Sequence, residues 1–319
     1  MLWAVVFVVG GLALLAVAPD RFVAGAAGLA DRLGVSRVLI GAVVIGFGTS
    51  MPELLVSGLA TADGEPEVAV GNVVGSNIAN LGLVLAVAAL ISRVRVPAGL
   101  LRREVPVTVV ATVLFALLVQ HGVTRVEGAV LAVAVVAALT ILVRSARRPG
   151  DGAAGELGVE IEEYLGDETQ RPAWRLAGEA LVGLLGTLAG AQLLVTGAVE
   201  IASELDVSSG FVGVTIVAIG TSLPELVTAI AAARAGEDQL IIGNVLGSNM
   251  FNSLAVGAVV GLVRPLPVTD AALTVGGVAA MLVMTALGVL AMGARGSVTR
   301  VEATVLLVVY VLMLPFLAG

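Results

Sequence analysis

Two stretches of the chain repeat without a gap at an offset of 172 residues. GVSRVLIGAVVIGFGTSMPELLVS at 34–57 lies over DVSSGFVGVTIVAIGTSLPELVTA at 206–229, and GNVVGSNIAN at 71–80 lies over GNVLGSNMFN at 243–252. At an offset of 175, VTRVE at 123–127 recurs at 298–302. Three blocks in one order mark a duplicated unit. Apolar stretches of about 17–25 residues read as spanning helices. Ten are present, at 2–18, 36–61, 68–91, 105–120, 125–143, 176–200, 209–233, 239–263, 271–293 and 298–317. Five fall in each copy. A five-helix unit enters and leaves on opposite sides, so the second copy is expected upside down relative to the first. The expected fold is an all-α polytopic membrane protein of ten transmembrane helices in two inverted five-helix repeats, with helices 2, 3, 7 and 8 broken. Inverted repeats with Gly- and Pro-interrupted helices point to alternating access around a midplane site.

Composition fits a chain made mostly of such helices. Of 319 residues, 58% are hydrophobic and 13% charged, against about 45–50% and about 25% in soluble domains. There is no cysteine, and His121 is the single histidine. Thiolate metal sites, iron–sulfur clusters, cysteine nucleophiles and histidine-built metal centres are therefore excluded. All 17 basic residues are Arg and the net charge is −7. No basic patch lies outside the loops, which argues against nucleic acid as a partner. The first span lacks a basic flank and a small-residue cleavage site, so it reads as an uncleaved helix.

The loops set an orientation. Fifteen Arg lie in the loops joining spans 1–2, 3–4, 5–6, 7–8 and 9–10, and the other side holds only Arg125 and Arg264. The bias places both termini outside the cell membrane and loop 144–175 in the cytoplasm. The acidic run from Glu156 to Glu168 in that loop reads as a solvated linker, because it lacks the alternating ligands and turn glycine of a Ca²⁺ loop. The chain thus divides into a first repeat at 1–146, a linker at 147–173 and a second repeat at 174–319.

Two carboxylates, Glu53 and Glu225, sit well inside spans, in the matched contexts GTSMPE and GTSLPE. A charge at the bilayer centre costs at least about 2.5–3.5 kcal/mol, so such a carboxylate marks function by default. Pro52 and Pro224 cannot donate a backbone hydrogen bond and obstruct the preceding turn. The helices are expected to break there and free carbonyls near Gly46 and Thr49, and near Ala218 and Thr221. Irregular backbone at membrane depth is tolerated where it lines a polar cavity. In GSNIAN, Ser76 and Asn80 share a helix face, as Ser248 and Asn252 do in GSNMFN. These groups form a set of hard oxygen ligands suited to Na⁺ or Ca²⁺, and Ser50 and Ser222 are the capping-competent residues before each proline. Two ionised Glu carry −2, which one Ca²⁺ or two Na⁺ would balance, and no basic residue lies mid-membrane to hold an anion. Gly183, Gly186 and Gly190 read as helix packing, and Glu127 and Glu302 as interfacial helix caps or ion-pair partners.

These paired motifs resemble the two α-repeats of the Ca²⁺/cation antiporter superfamily, specifically the prokaryotic sodium/calcium exchangers. The resemblance extends over the whole chain through the ten-helix layout. It implies exchange of external Na⁺ for internal Ca²⁺ by alternating access. Glu53 and Glu225 would be shared Ca²⁺ ligands, and Thr49 and Thr221 would contribute carbonyls. Ser76 and Ser248 would help form flanking Na⁺ sites with the carbonyls of Gly46 and Ala218. Ser50 and Ser222 would complete the lining and Asn80 and Asn252 the centre, while the first and sixth helices would slide as a gate. Position 252 is Asn where many relatives have Asp. If that Asp works protonated, Asn252 substitutes for it; if it must ionise, stoichiometry changes. Neither copy has the acidic pair that resembles potassium-dependent exchangers.

The sequence therefore reads as a secondary active Na⁺/Ca²⁺ antiporter with no cofactor, the two ions as substrates, the lipid bilayer as surroundings and no obligate protein partner. A Ca²⁺/H⁺ antiporter would need Glu53 or Glu225 to titrate during the cycle. A passive cation channel would show no obligatory exchange. An enzyme is not indicated, since no activated nucleophile or acid/base pair in a substrate-sized arrangement is visible.

Overall fold

The computed structural model describes residues 1–32, 50–120, 122–146 and 171–316. Gly46, Thr49, His121 and the acidic run of the linker lie outside the described residues. The described chain is helical apart from one short ribbon. Helix α1 (Leu2–Leu15) continues through a turn into α2 (Ala18–Arg32), giving an apolar stretch at Leu2–Leu29 that is longer than the expected 2–18. Pro19 does not end the stretch, because it sits in the opening turn of α2, where its missing N–H is not needed. Next come α3 (Met51–Asp63) and α4 (Pro66–Ala79). A π-helical turn at Asn80–Val84 joins α4 to α5 (Leu85–Ile91). Helices α6 (Ala98–Leu118) and α7 (Arg125–Ala146) complete the first half.

The second half opens with α8 (Ala173–Leu205), 33 residues long. Helix α9 (Ser209–Val212) leads through a π turn at Gly213–Val217 into α10 (Ala218–Thr221), followed by α11 (Leu223–Ala235). Then α12 (Asp238–Phe251) passes through a π turn at Asn252–Val256 into α13 (Gly257–Val263). A π turn at Ala272–Gly277 opens α14 (Val278–Arg295), and α15 is Arg300–Phe316. The bounds of α3, α4, α5 and the intervening π turn recur at an offset of 172 in α11, α12, α13 and theirs.

Six stretches of the described chain are long and apolar enough to cross a membrane, and a seventh is the pair Ser209–Thr221 and Leu223–Ala235, bent by 43°. Three expected spans are not among these. The one at 36–61 is described only from Ser50, α6 carries Arg102, Arg103 and Glu104 near its start, and α15 is described over 17 residues. The expected break of helix 7 is present at Ser222. Helices 3 and 8 are not broken: each is one 26-residue stretch, Pro66–Ile91 and Asp238–Val263, that absorbs its irregularity in a π turn. One extra residue enters the hydrogen-bond ladder there and the helix continues.

Packing alternates between the halves. Helix α5 lies against α11 and α15, while α13 lies against α3 and α7. Helix α12 packs on α6 as α4 packs on α14. Together, α1 and α2 lie along α8, where a Cβ on Gly11 would stand 2.7 Å from the Gly190 carbonyl and one on Gly183 2.3 Å from the Phe22 nitrogen. Such close backbone approach is what the small residues were expected to serve.

Side-chain partners sort the loops onto two ends. At the first end Gln192 reaches Asp63, Arg264 reaches the Ala62 carbonyl and Glu67 accepts from Thr269. At the second, strand β1 (Val94–Arg95) pairs antiparallel with β2 (Ser297–Val298), and Arg95 reaches Asp238. The Pro66–Ile91 helix joins the two ends over about 39 Å. From the middle of the molecule, α3 leads to the first end and α11 to the second.

Candidate cation site

Ser50 and Ser222 are the residues before α3 and α11, and in each helix a proline follows in the first turn. A proline at that position has no N–H to leave unpaired, so it starts a helix well and cannot continue the one before it. The next residue is Glu53 in α3 and Glu225 in α11. Both are fully buried. The Glu53 Oε1 accepts from the Ser222 hydroxyl at 3.4 Å, and the Glu225 Oε1 accepts from the Ser248 hydroxyl at 3.3 Å. Each Oε2 has no hydrogen-bond partner among the described residues.

The opposite wall comes from α4 and α12. Ser76 is 3.4 Å from the Thr221 hydroxyl, which donates to Asn72 Oδ1 at 3.0 Å. Asn80, at the start of its π turn, donates to Asn249 Oδ1 at 2.9 Å. Asn252, at the start of the matching turn, is fully buried with both amide atoms unpartnered among the described residues. Ser50 Oγ and Asn80 Oδ1 are likewise unpartnered. Buried polar groups are nearly always satisfied. Of nine such orphaned atoms among the described residues, six belong to Ser50, Glu53, Asn80, Glu225 and Asn252. The donor set is two carboxylates, two amides and hydroxyls, with no basic side chain among them; its chemistry fits a hard cation.

Ten of the twelve residues expected at the site are described. Hydrogen bonds join Glu53, Ser222, Ala218, Thr221 and Ser76 in one network and Glu225 with Ser248 in a second. Asn80 bonds Asn249, and the side chains of Ser50 and Asn252 have no partner among the described residues. Ser50 is the residue before α3, and its buried hydroxyl makes no capping bond to that helix. The Ala218 carbonyl accepts the Ser222 N–H at 3.1 Å, and the Thr221 hydroxyl, which donates to Asn72 Oδ1, lies 3.3 Å from it. Gly46 and Thr49 lie outside the described residues.

Several residues that sequence reasoning did not single out support the site. Asn72 donates to the Glu53 carbonyl at 3.3 Å and to Ser57 Oγ at 2.9 Å. Asn244 makes the matching bond to the Glu225 carbonyl at 3.4 Å. Asn77 and Asn249 meet between the halves, where Asn249 donates to the Asn77 carbonyl at 3.2 Å and Ser253 to Asn77 Oδ1 at 3.3 Å. The signal was present in the repeated GN and SN pairs: Asn72, Ser76 and Asn80 are spaced by four and share a face.

Comparison with known proteins follows the same lines. A family model described as sodium/calcium exchanger protein matches residues 3–144 and 176–319. The putative antiporter CaxA of Alkalimonas amylolytica is 37% identical over 98% of this chain and 97% of its own length. The sodium/calcium exchanger MaX1 of Methanosarcina acetivorans is 30% identical over 82% of this chain and 84% of its own. Among solved structures, the sodium-calcium exchanger NCX_Mj superposes with a TM-score of 0.66 at 30% identity, covering 98% of each chain.

Proposed function

The chain belongs to the sodium/calcium exchanger family, and from that premise we propose that it is a secondary active antiporter exchanging Na⁺ for Ca²⁺ by alternating access at the site around Glu53 and Glu225. The observation that carries this reading is the concentration of unpartnered buried oxygens on those two carboxylates and on Ser50, Asn80 and Asn252. A dehydrated cation supplies what such oxygens lack, and a Ca²⁺ ion takes six to eight of them at about 2.3–2.6 Å. Glu53 and Glu225 ligate the divalent ion with carbonyls of Thr49 and Thr221. Ser76 and Ser248, with the carbonyls of Gly46 and Ala218, serve Na⁺, while Ser222 and Ser50 line the passage between the halves.

The two halves, 1–146 and 174–319 about a linker at 147–173, act as inverted five-helix repeats in a ten-helix cell-membrane protein. Both termini face outside and loop 144–175 faces the cytoplasm. The close-packed unit of α1, α2 and α8 is the moving gate. Leu12 supports this, because its side chain rests on Gly220, just before the break of helix 7. A shift of α1 is therefore felt at the site.

The test is Ca²⁺ uptake into Na⁺-loaded proteoliposomes, with and without an outward Na⁺ gradient, beside Glu53→Gln and Glu225→Gln. Gradient-driven uptake that both variants lose is the expected result. Uptake indifferent to Na⁺ and driven by a pH gradient reassigns the coupling ion to H⁺, and conductance without exchange sinks the antiporter reading.

A further inference from the structure

The β1–β2 ribbon places arginines in a pattern that the exchange chemistry does not use. Successive residues of a strand point to opposite faces. Val94, Val96 and Val298 turn inward and are buried, so Arg93 and Arg95 turn outward. Ser297, paired with Arg95 across the ribbon, lies on the same side although it is itself buried, its hydroxyl bonded by Arg93, and Arg295 stands two residues before it. These four side chains and Gly296 line one open hollow of about 580 Å³.

The charges of the hollow are only partly matched. Arg93 donates through both Nε and Nη2, at 3.1 and 2.8 Å, to the hydroxyl of Ser297, a neutral acceptor. Arg95 meets Asp238 at 2.9 Å with its side chain 80% exposed. Arg295 is 3.7 Å from Glu302 and 68% exposed. Arg300, three residues after Ser297 and not lining the hollow, donates to the Leu90 carbonyl. Two carboxylates thus meet two of the three guanidinium groups of the hollow, and one of them, Glu302, also accepts from the Thr299 N–H and hydroxyl. Exposed pairs of this kind are weak and exchange partners readily, whereas the guanidinium fork fits phosphate oxygens two at a time.

Depth selects the source of that phosphate. The ribbon begins three residues after Ile91, where one apolar span ends, and its second strand begins two residues after Arg295, where another ends. It therefore sits where lipid headgroups sit. Basic pockets between helices at that level are suited to anionic headgroups.

We propose that the outer face of this ribbon binds a phosphate group, delivered by the headgroup of an anionic phospholipid. The same group would brace the ends of three elements that hold the site: α5, α14 and, through Arg95, the start of α12. The proposal does not depend on which ion drives transport.

The experiment is thermal unfolding of the purified full chain in neutral detergent, titrated with phosphatidylglycerol, with phosphatidylcholine, and with inorganic phosphate. Phosphatidylglycerol should raise the unfolding midpoint and phosphatidylcholine should not. In Arg93→Gln/Arg95→Gln/Arg295→Gln the half-maximal lipid concentration should rise at least tenfold, with Arg144→Gln unchanged. Arg95→Gln and Arg295→Gln alone, each expected to weaken binding by a smaller factor, carry the test if the triple variant does not fold. An equal shift from millimolar inorganic phosphate keeps the site and makes its ligand a soluble phosphate. No shift in the native protein, an unaltered shift in the ribbon variants, or an equal loss in Arg144→Gln overturns the proposal.

Discussion

The amide of Asn72 holds two elements at once: its nitrogen bonds the Glu53 carbonyl and Ser57, and its oxygen accepts from Thr221 of the other half. Asn244 keeps the bond to the Glu225 carbonyl, but Ala229 stands where the repeat would place Ser57. Asn72→Ala therefore leaves buried Ser57 and Thr221 each short of a partner, a loss of about 1–3 kcal/mol. Asn244→Ala should cost less than half of that. Thermal unfolding of both variants checks the difference, and Asn72→Ala should also show the larger fall in Ca²⁺ uptake. Asn252 offers a second test, because Asn252→Asp adds a carboxyl among atoms without partners. Protonated, the new side chain is a near copy of the native amide; ionised, it adds one negative charge beside Glu53 and Glu225. Its Ca²⁺ affinity should match the native protein at low pH and exceed it increasingly as pH rises; a difference independent of pH would contradict this. At this scale the sequence disclosed Glu53 and Glu225 because an intramembrane carboxylate has few other uses. It did not disclose Asn72, Asn77 or Asn249, since an amide that ligates and one that positions look alike until the halves are brought together.

Among the elements, the helices around the site were legible through their punctuation. Pro52 and Pro224 start α3 and α11, and the Thr-x-x-Glu of each VTRVE caps α7 and α15, with Thr124 N–H donating to Glu127 at 2.7 Å and Thr299 N–H to Glu302 at 2.9 Å. The π turns at Asn80 and Asn252 were not legible. A helix gains one residue in a turn when packing on both sides makes that the better fit, and apolar periodicity carries no mark of it. The union of α1 and α2 with α8 rests on backbone contact. A methyl on Gly183 would fall 2.3 Å from the Phe22 nitrogen, and one on Gly25 2.5 Å from the Ala180 nitrogen, whereas Gly178 on the same helix has nothing within 4 Å. Gly183→Ala and Gly25→Ala must push the helices apart, at about 1–3 kcal/mol each. Gly178→Ala should be neutral or slightly stabilising through helix propensity. Unfolding midpoints of the three variants decide it, and equal stability throughout would remove the close-packed pair as a unit.

Across the whole molecule the two ends differ in charge, arginine at the ribbon and carboxylate at the other. Asp63, Glu65, Glu200 and Glu204 line one hollow at the first end, between α8 and the turn joining α3 to α4. The excess of Arg on one side of the sequence foreshadowed this polarity; which carboxylates share a hollow had to await the packing of α8 on α3. Glu200 and Glu204 also meet the Met1 ammonium there. As the mouth of the site, the hollow should concentrate cations near it and speed their capture, an effect that salt screens over about 8 Å at physiological strength. Neutralising Asp63, Glu65, Glu67, Glu204 and Asp206 together should slow Ca²⁺ uptake severalfold at low ionic strength and leave the maximal rate unchanged. Raising the salt to about 0.5 M should erase the difference. Glu65 gives the effect a pH dependence. Its carboxyl titrates above the ordinary value of 4.5, because burial and then the charges of Glu67 and Asp63 disfavour ionisation. Above that raised pKa the mouth carries the Glu65 charge, and as pH falls through it the charge is lost sooner than an ordinary glutamate would lose it. At low salt, uptake by the native protein should decline in that acidic window, while Glu65→Gln starts lower and declines less. Parallel pH profiles for the two proteins would show that the mouth plays no part in capture.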